Sequence, residues 1–175
     1  MEDLIPRLTR TIRDIPDFPK PGILFKDITP ILSDPELLQG VIDAFASRWR
    51  DEGIQAVVGM ESRGFIFGAP LALALRAAFV PARKPGKLPY KTIGHEYALE
   101  YGTNRLELHV DAIAPGQRVL VLDDLLATGG TAAATCALVR QLGGEVVACG
   151  FVVELGFLGG RARLEPTPVE SLLIF

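Results

Sequence analysis

An α/β fold built around a parallel sheet is predicted by three features of this sequence. Apolar runs that suit buried strands (Ile54 to Met60, Ala78 to Ala82, Arg118 to Asp123, Glu145 to Val153) alternate with helix-like stretches. The run Arg118-Val-Leu-Val-Leu-Asp123 carries four consecutive apolar residues, as a parallel strand covered on both faces requires. The 175 residues, 49% hydrophobic and 22% charged, suit one domain with a single core that needs neither disulfides nor a structural metal.

The elements follow in order. Asp34 before Pro35 is a helix N-cap with a first-turn proline, and Leu38, Ile42, Phe45 and Trp49 then recur at helical spacing until Gly53. After the strand ending at Met60, Gly64 to Arg76 forms an apolar helix leading to the strand at Ala78 to Ala82. Pro115-Gly116 turns the chain into the central strand. Thr131 to Leu142 is an Ala-rich helix stopped by Gly143-Gly144. Parallel neighbours need right-handed crossovers, and ligands of such sheets bind beyond the carboxyl ends of the strands, here beyond Asp123. Two segments break the alternation: residues 14 to 33, rich in proline and aromatics, and residues 83 to 104, rich in glycine and charge. The second is long enough for a loop that closes over a ligand.

Composition narrows the function. A net charge of −3 argues against broad nucleic-acid binding while leaving room for one basic cluster that meets a small polyanion. The N-terminus has no signal-peptide pattern, and no run approaches the roughly 20 apolar residues of a membrane span, so a cytoplasmic protein with no membrane partner is expected. Cys136 and Cys149 have no closely spaced Cys or His partners and are expected to be buried thiols.

The most informative stretch is Val119-Leu-Val-Leu-Asp-Asp-Leu-Leu-Ala-Thr-Gly-Gly-Thr131, a strand that passes through two acids into a helix start. Backbone N–H groups at a helix start lack intrahelical partners and sit at the positive end of the helix dipole, so they suit a phosphate. Thr128 and Thr131 add hydroxyls, while Gly129 and Gly130 let phosphate oxygens approach the backbone at a cost of about 1 kcal/mol each in helix propensity. Asp123 and Asp124 do not suit a phosphate but can accept hydrogen bonds from a sugar diol. Either feature alone reads as an ordinary helix cap or a solvated strand end; together they point to ribose 5-phosphate. No Walker lysine and no G-x-G-x-x-G are present.

Apolar strand, Asp-Asp and Ala127-Thr-Gly-Gly-Thr131 together resemble the phosphoribosyl pyrophosphate signature of the type I phosphoribosyltransferases. Within that family the members that use adenine are the more similar, through Phe18-Pro-Lys-Pro-Gly-Ile-Leu-Phe25, Glu61-Ser-Arg-Gly-Phe-Ile-Phe-Gly68, Arg83-Lys-Pro-Gly-Lys-Leu-Pro89 and Leu99-Glu-Tyr-Gly102. The resemblance implies the type I fold: a parallel core sheet flanked by helices, a small N-terminal hood over about residues 1–33 and a flexible loop over about 83–104. The implied reaction joins adenine to 5-phosphoribosyl 1-pyrophosphate, yielding AMP and pyrophosphate. A hypoxanthine or guanine enzyme and a nucleotide-sensing regulator on the same fold are the alternatives.

The resemblance also distributes roles. Residues Asp123, Asp124, Ala127, Thr128, Gly129, Gly130 and Thr131 hold the ribose phosphate, and Arg63, Arg83, Lys84 and Lys87, with Lys91 nearby, meet the pyrophosphate. A cis peptide between Glu61 and Ser62 frees backbone donors for the same group. Phe25 stacks on the base with Leu125 opposite, Leu24 and Lys26 offer backbone contacts, and Glu100, followed by Tyr101, handles a proton at purine N7. Lys26 stands where many relatives have arginine, so only its backbone contact carries over. Mg²⁺ travels with the donor and is reached by Asp123 and Asp124 through water, and the protein is a homodimer. His95 and His109 receive no role.

Overall fold

The computed structural model describes residues 3–98 and 103–175. The chain forms two compact units, one up to Ala44 and one from Phe45 onward. The first holds helix α1 (Leu4–Thr11), a ribbon of strands β1 (Arg13–Pro16) and β2 (Leu24–Asp27), the single-turn α2 (Thr29–Leu32) and the start of helix α3 (Pro35–Trp49). In the ribbon Ile15 pairs with Phe25, and the Phe18 and Phe25 rings meet edge to face at 5.1 Å. Asp34 caps α3 as predicted: its Oδ1 accepts the N–H groups of Glu36 (2.9 Å) and Leu37 (3.1 Å). The buried stripe of α3 runs through Leu37, Val41, Ile42, Phe45 and Trp49, so the predicted face is buried except for Leu38, which is half-buried.

The second unit is the expected parallel sheet. Strands β3 (Ala56–Met60), β4 (Ala78–Ala82), β7 (Arg118–Leu126), β8 (Glu145–Glu154) and β9 (Val169–Ile174) lie in the order β4-β3-β7-β8-β9, all parallel. Helix α4 (Gly64–Leu75) connects β3 to β4, and α5 (Gly130–Gln141) connects β7 to β8. All five residues of β3 are buried, as are Val119 to Leu122 of β7, which matches their apolar runs. Val58, Met60, Val121, Leu138 and Phe151 belong to one core cluster. Cys136 and Cys149 are buried in it with their sulfurs 3.5 Å apart, both as free thiols.

Three differences from the sequence reading matter for the site. First, β7 does not stop at Asp123; it continues to Leu126 because β8 is long enough to pair with it, Asp123 with Phe151 and Leu126 with Glu154. Second, residues 92 to 98, inside the stretch expected to be a loop, form strand β5 (Thr92–Ala98), which pairs antiparallel with β6 (Thr103–His109). Third, the last strand of the sheet, β9, comes from residues 169–174, to which the sequence pattern assigns no element. Among the described residues, no helix is long and apolar enough to cross a membrane.

Candidate active site

The sheet order fixes where a ligand belongs. From the adjacent pair β3 and β7 the chain moves outward in opposite directions, to β4 on one side and to β8 and β9 on the other. This is a topological switch point, and the crevice lies at the carboxyl ends of those two strands. Residues 61–63 after β3 and 123–131 at the end of β7 converge there around two adjoining cavities.

The smaller cavity, about 80 Å³, is shaped by the loop into α5: Ala127, Thr128, Gly129, Gly130 and Thr131 line it with Asp123. Gly129 is the N-cap of α5 with φ +79°, and no side chain caps the helix. Thr128 is exposed and leaves the capping position to glycine, so the ordinary-cap reading of that threonine does not hold. No acidic side chain occupies the first turn, and the helix runs for 12 residues with its amino end at the cavity. Such an end attracts an anion of phosphate size. Thr131 sends its hydroxyl to Tyr97 Oη at 3.2 Å.

The larger cavity, about 290 Å³, is lined by Glu61, Ser62, Arg63, Lys84, Asp124 and Leu125, among others. Arg63 Nε donates to Asp124 Oδ2, joining the ends of the two central strands. The Asp124 N–H donates to Asp123 Oδ1 at 2.9 Å. Burial, reinforced by the neighbouring Asp124 charge, pushes the Asp123 carboxyl well above the usual carboxylate range despite that N–H and Arg63. Glu61 behaves oppositely. Burial alone would raise it, but the Lys84 N–H and the Arg83 guanidinium, each donating at 3.1 Å, hold it below its ordinary value. The peptide between Glu61 and Ser62 is cis.

A model of the phosphoribosyl transferase domain matches residues 27–166. The adenine phosphoribosyltransferase of Anaeromyxobacter sp. (strain Fw109-5) is 61% identical over 164 residues, 94% of this chain and 93% of that protein. The adenine phosphoribosyltransferase structure from Rhodothermus marinus superposes with a TM-score of 0.95 at 53% identity, covering 100% of both chains. The chain belongs to the adenine phosphoribosyltransferase family. Another family structure, from Saccharomyces cerevisiae and complexed with an imino-altritol bisphosphate and adenine, gives a TM-score of 0.94 at 44% identity, covering 99% of this chain and 100% of that one.

Against that family frame, the predicted site residues fall into four groups. Arg63, Lys84, Asp123, Asp124, Leu125 and the 127–131 loop come together around the two cavities. Arg83 and Lys87 do not line them: Arg83 bonds Glu61 and the Lys87 carbonyl (3.1 Å), which folds the basic segment into a turn. Leu24, Phe25 and Lys26 lie on β2 of the first unit, where Lys26 Nζ reaches Asp14 Oδ1 at 2.6 Å. Glu100 and Tyr101 lie outside the described residues. His109 accepts the Tyr90 N–H at 3.3 Å, and neither His95 nor His109 lines either cavity.

Several contributors were not singled out from sequence. The side chain of Glu61, expected only to contribute a peptide bond, organises the basic segment, and Tyr97 and Asn104 line the larger cavity from the β5–β6 ribbon. Gly160 backs the 127–131 loop: a Cβ at Gly129 would strike the Gly160 carbonyl oxygen, and one at Gly160 would strike the Ala127 carbonyl oxygen and lie 2.9 Å from Gly129 N. The Gly159-Gly160 pair was the available signal, but it falls 30 residues downstream of the loop it supports.

Proposed function

We propose that this chain transfers the 5-phosphoribosyl group from 5-phosphoribosyl 1-pyrophosphate to adenine, giving AMP and pyrophosphate in purine salvage. The observation that carries the reading is the uncapped amino end of α5 beside the acid pair at the β3–β7 switch point. In this reading the 5′-phosphate rests on the N–H groups of residues 128–131, and Asp123 and Asp124 accept hydrogen bonds from the ribose hydroxyls. Pyrophosphate departs toward Arg63 and Lys84 as its bond to C1 breaks and the bond from adenine N9 forms. Positive charge developing on the ribose is tolerated by the neighbouring carboxylates. Glu100 handles the proton at N7, a role that rests on the resemblance of Leu99-Glu-Tyr-Gly102.

Among the described residues no group of three ligating side chains could hold a metal. Asp123 and Asp124 nonetheless supply hard oxygen donors suited to Mg²⁺ that keeps its waters. The ion would enter on the donor's pyrophosphate and ribose oxygens, with these two carboxylates reaching it through water. Held there, the ion would supply charge neutralisation at the leaving group. By the resemblance, Phe25 stacks on the base and the Gly22–Lys26 backbone reads the purine edge. We further propose a cytoplasmic homodimer, with light scattering as the check on the dimer.

A purine panel with 5-phosphoribosyl 1-pyrophosphate and Mg²⁺ tests the assignment. Adenine offers an N1 acceptor beside an amino donor, whereas hypoxanthine offers an N1–H donor beside an oxygen acceptor. A dry, rigid site built for one rejects the other on the order of 10⁴-fold. Comparable efficiencies with the two bases would remove the adenine assignment and leave the phosphoribosyl one, while failure of every purine in the panel to elicit pyrophosphate release would remove both.

A further inference from the structure

The segment behind the phosphate loop is fixed by polar contacts that the transfer reaction does not use. Glu154, the last residue of β8, is only 5% exposed. Its two carboxylate oxygens take the Arg161 fork, Nε at 3.1 Å and Nη2 at 2.6 Å. Ser171 Oγ on β9 donates to the same carboxylate at 2.6 Å, and Arg161 Nη1 donates to the Val169 carbonyl at 2.7 Å. Arg161 thus joins the ends of two strands through one planar group, a geometry that an ammonium cannot reproduce.

Arg161 directly follows Gly160, whose backbone is packed against Ala127 and Gly129 too closely to admit a Cβ on either side. Where Gly160 sits therefore decides how far Ala127 and Gly129 can retreat from the cavity. We propose that Glu154, Arg161 and Ser171 form a clamp that holds Gly160 against the phosphate loop, making Arg161 a positioning residue for the phosphoribosyl donor. The clamp rests on the reading that this loop binds the donor's 5′-phosphate. The Arg161 hydrogen bonds hold the Glu154 carboxyl below its ordinary value against burial, with Ser171 adding to the effect.

The test compares Arg161→Lys, Arg161→Gln and Ser171→Ala with Arg118→Lys. Arg118 makes a similar set of contacts, to Glu145 at 2.8 Å and to the Glu52 carbonyl at 3.1 Å, but at the opposite end of β7. For each variant the readouts are melting temperature, KM for 5-phosphoribosyl 1-pyrophosphate, KM for adenine, and kcat at saturating donor. Small misplacements of a binding group are costly, so Arg161→Lys should raise donor KM on the order of tenfold while kcat and adenine KM stay close to those of the unsubstituted protein. Ser171→Ala should shift donor KM in the same direction by less, and it carries the test if Arg161→Gln does not fold. Arg118→Lys should lower the melting temperature and leave donor KM unchanged. Unchanged donor KM in folded Arg161→Lys, or an equal shift in Arg118→Lys, overturns the clamp. Absence of donor binding by the unsubstituted protein overturns the phosphoribosyl reading itself, a result distinct from either.

Discussion

Gly129→Ala places one methyl group at the point where the phosphate loop has least room. At φ +79° an L-residue is disfavoured by roughly 1–2 kcal/mol. The added Cβ also meets the Gly160 carbonyl oxygen, with its carbon at 3.1 Å, and overpacking of this kind costs about 1–3 kcal/mol. The sum, roughly 2–5 kcal/mol, is relieved in the free protein when the loop swings away from Gly160. Donor binding must then restore the native loop against that cost. At 1.4 kcal/mol per decade, affinity for 5-phosphoribosyl 1-pyrophosphate falls by roughly 30-fold to several thousand-fold. Stability should change little, by a few degrees of Tm at most, because the relaxation occurs at the cavity wall and leaves the sheet intact. Calorimetric titration with donor, alongside a thermal melt, separates the two quantities. A folded Gly129→Ala protein that binds donor within about threefold of the parent would refute the argument.

Three further outcomes are expected. Asp124→Asn removes the carboxylate that takes Arg63 and lines the larger cavity, so on the proposed function donor KM and the Mg²⁺ requirement should rise while the fold survives; normal turnover at limiting donor and Mg²⁺ would count against it. Glu100→Gln should lower turnover more than donor binding, and an unchanged chemical step in single-turnover kinetics would leave Glu100 no role in proton handling. The third concerns pH. Because the folded-state value of Glu154 is depressed, its contribution to stability is complete above the unfolded carboxylate value of 4.5 and disappears only as pH falls through the lower folded value. The stability gap between the parent and Glu154→Gln in urea should therefore be full at pH 7, persist at pH 5 and shrink below pH 4, and a gap that grows with acidity would contradict the assignment.

Much of the fold was legible because its signals were local. Asp34-Pro35 marks the start of α3, four apolar residues mark β7, and Gly143 after Gln141 marks the end of α5, each decided by the chemistry of a few adjacent residues. The failures have equally physical causes. The end of β7 is set by a partner strand, so Asp123 alone did not reveal that pairing continues to Leu126. β9 gains its place by parallel pairing with β8, a tertiary gain that overrides a weak local pattern. Thr128 looked like a cap because threonine often is one, yet Gly129 with its positive φ takes that position.

The same distinction governs the site. Residues 123–131 could be read together as a candidate phosphate loop because acids, glycines and helix start are contiguous in the chain. Glu61 carries no such context. Its role follows from β3 lying between β4 and β7, which lets a residue at the end of one strand bond Arg83 and Lys84 just beyond its neighbour. Gly160 is still further removed, since only the return of the chain after β8 brings it behind Ala127 and Gly129. A loop that must present several N–H groups to one phosphate needs a wall behind it as much as glycines within it. That wall is built from sequence positions whose purpose is visible only after the sheet has closed, and a substitution there should change donor affinity without touching any residue of the recognised motif.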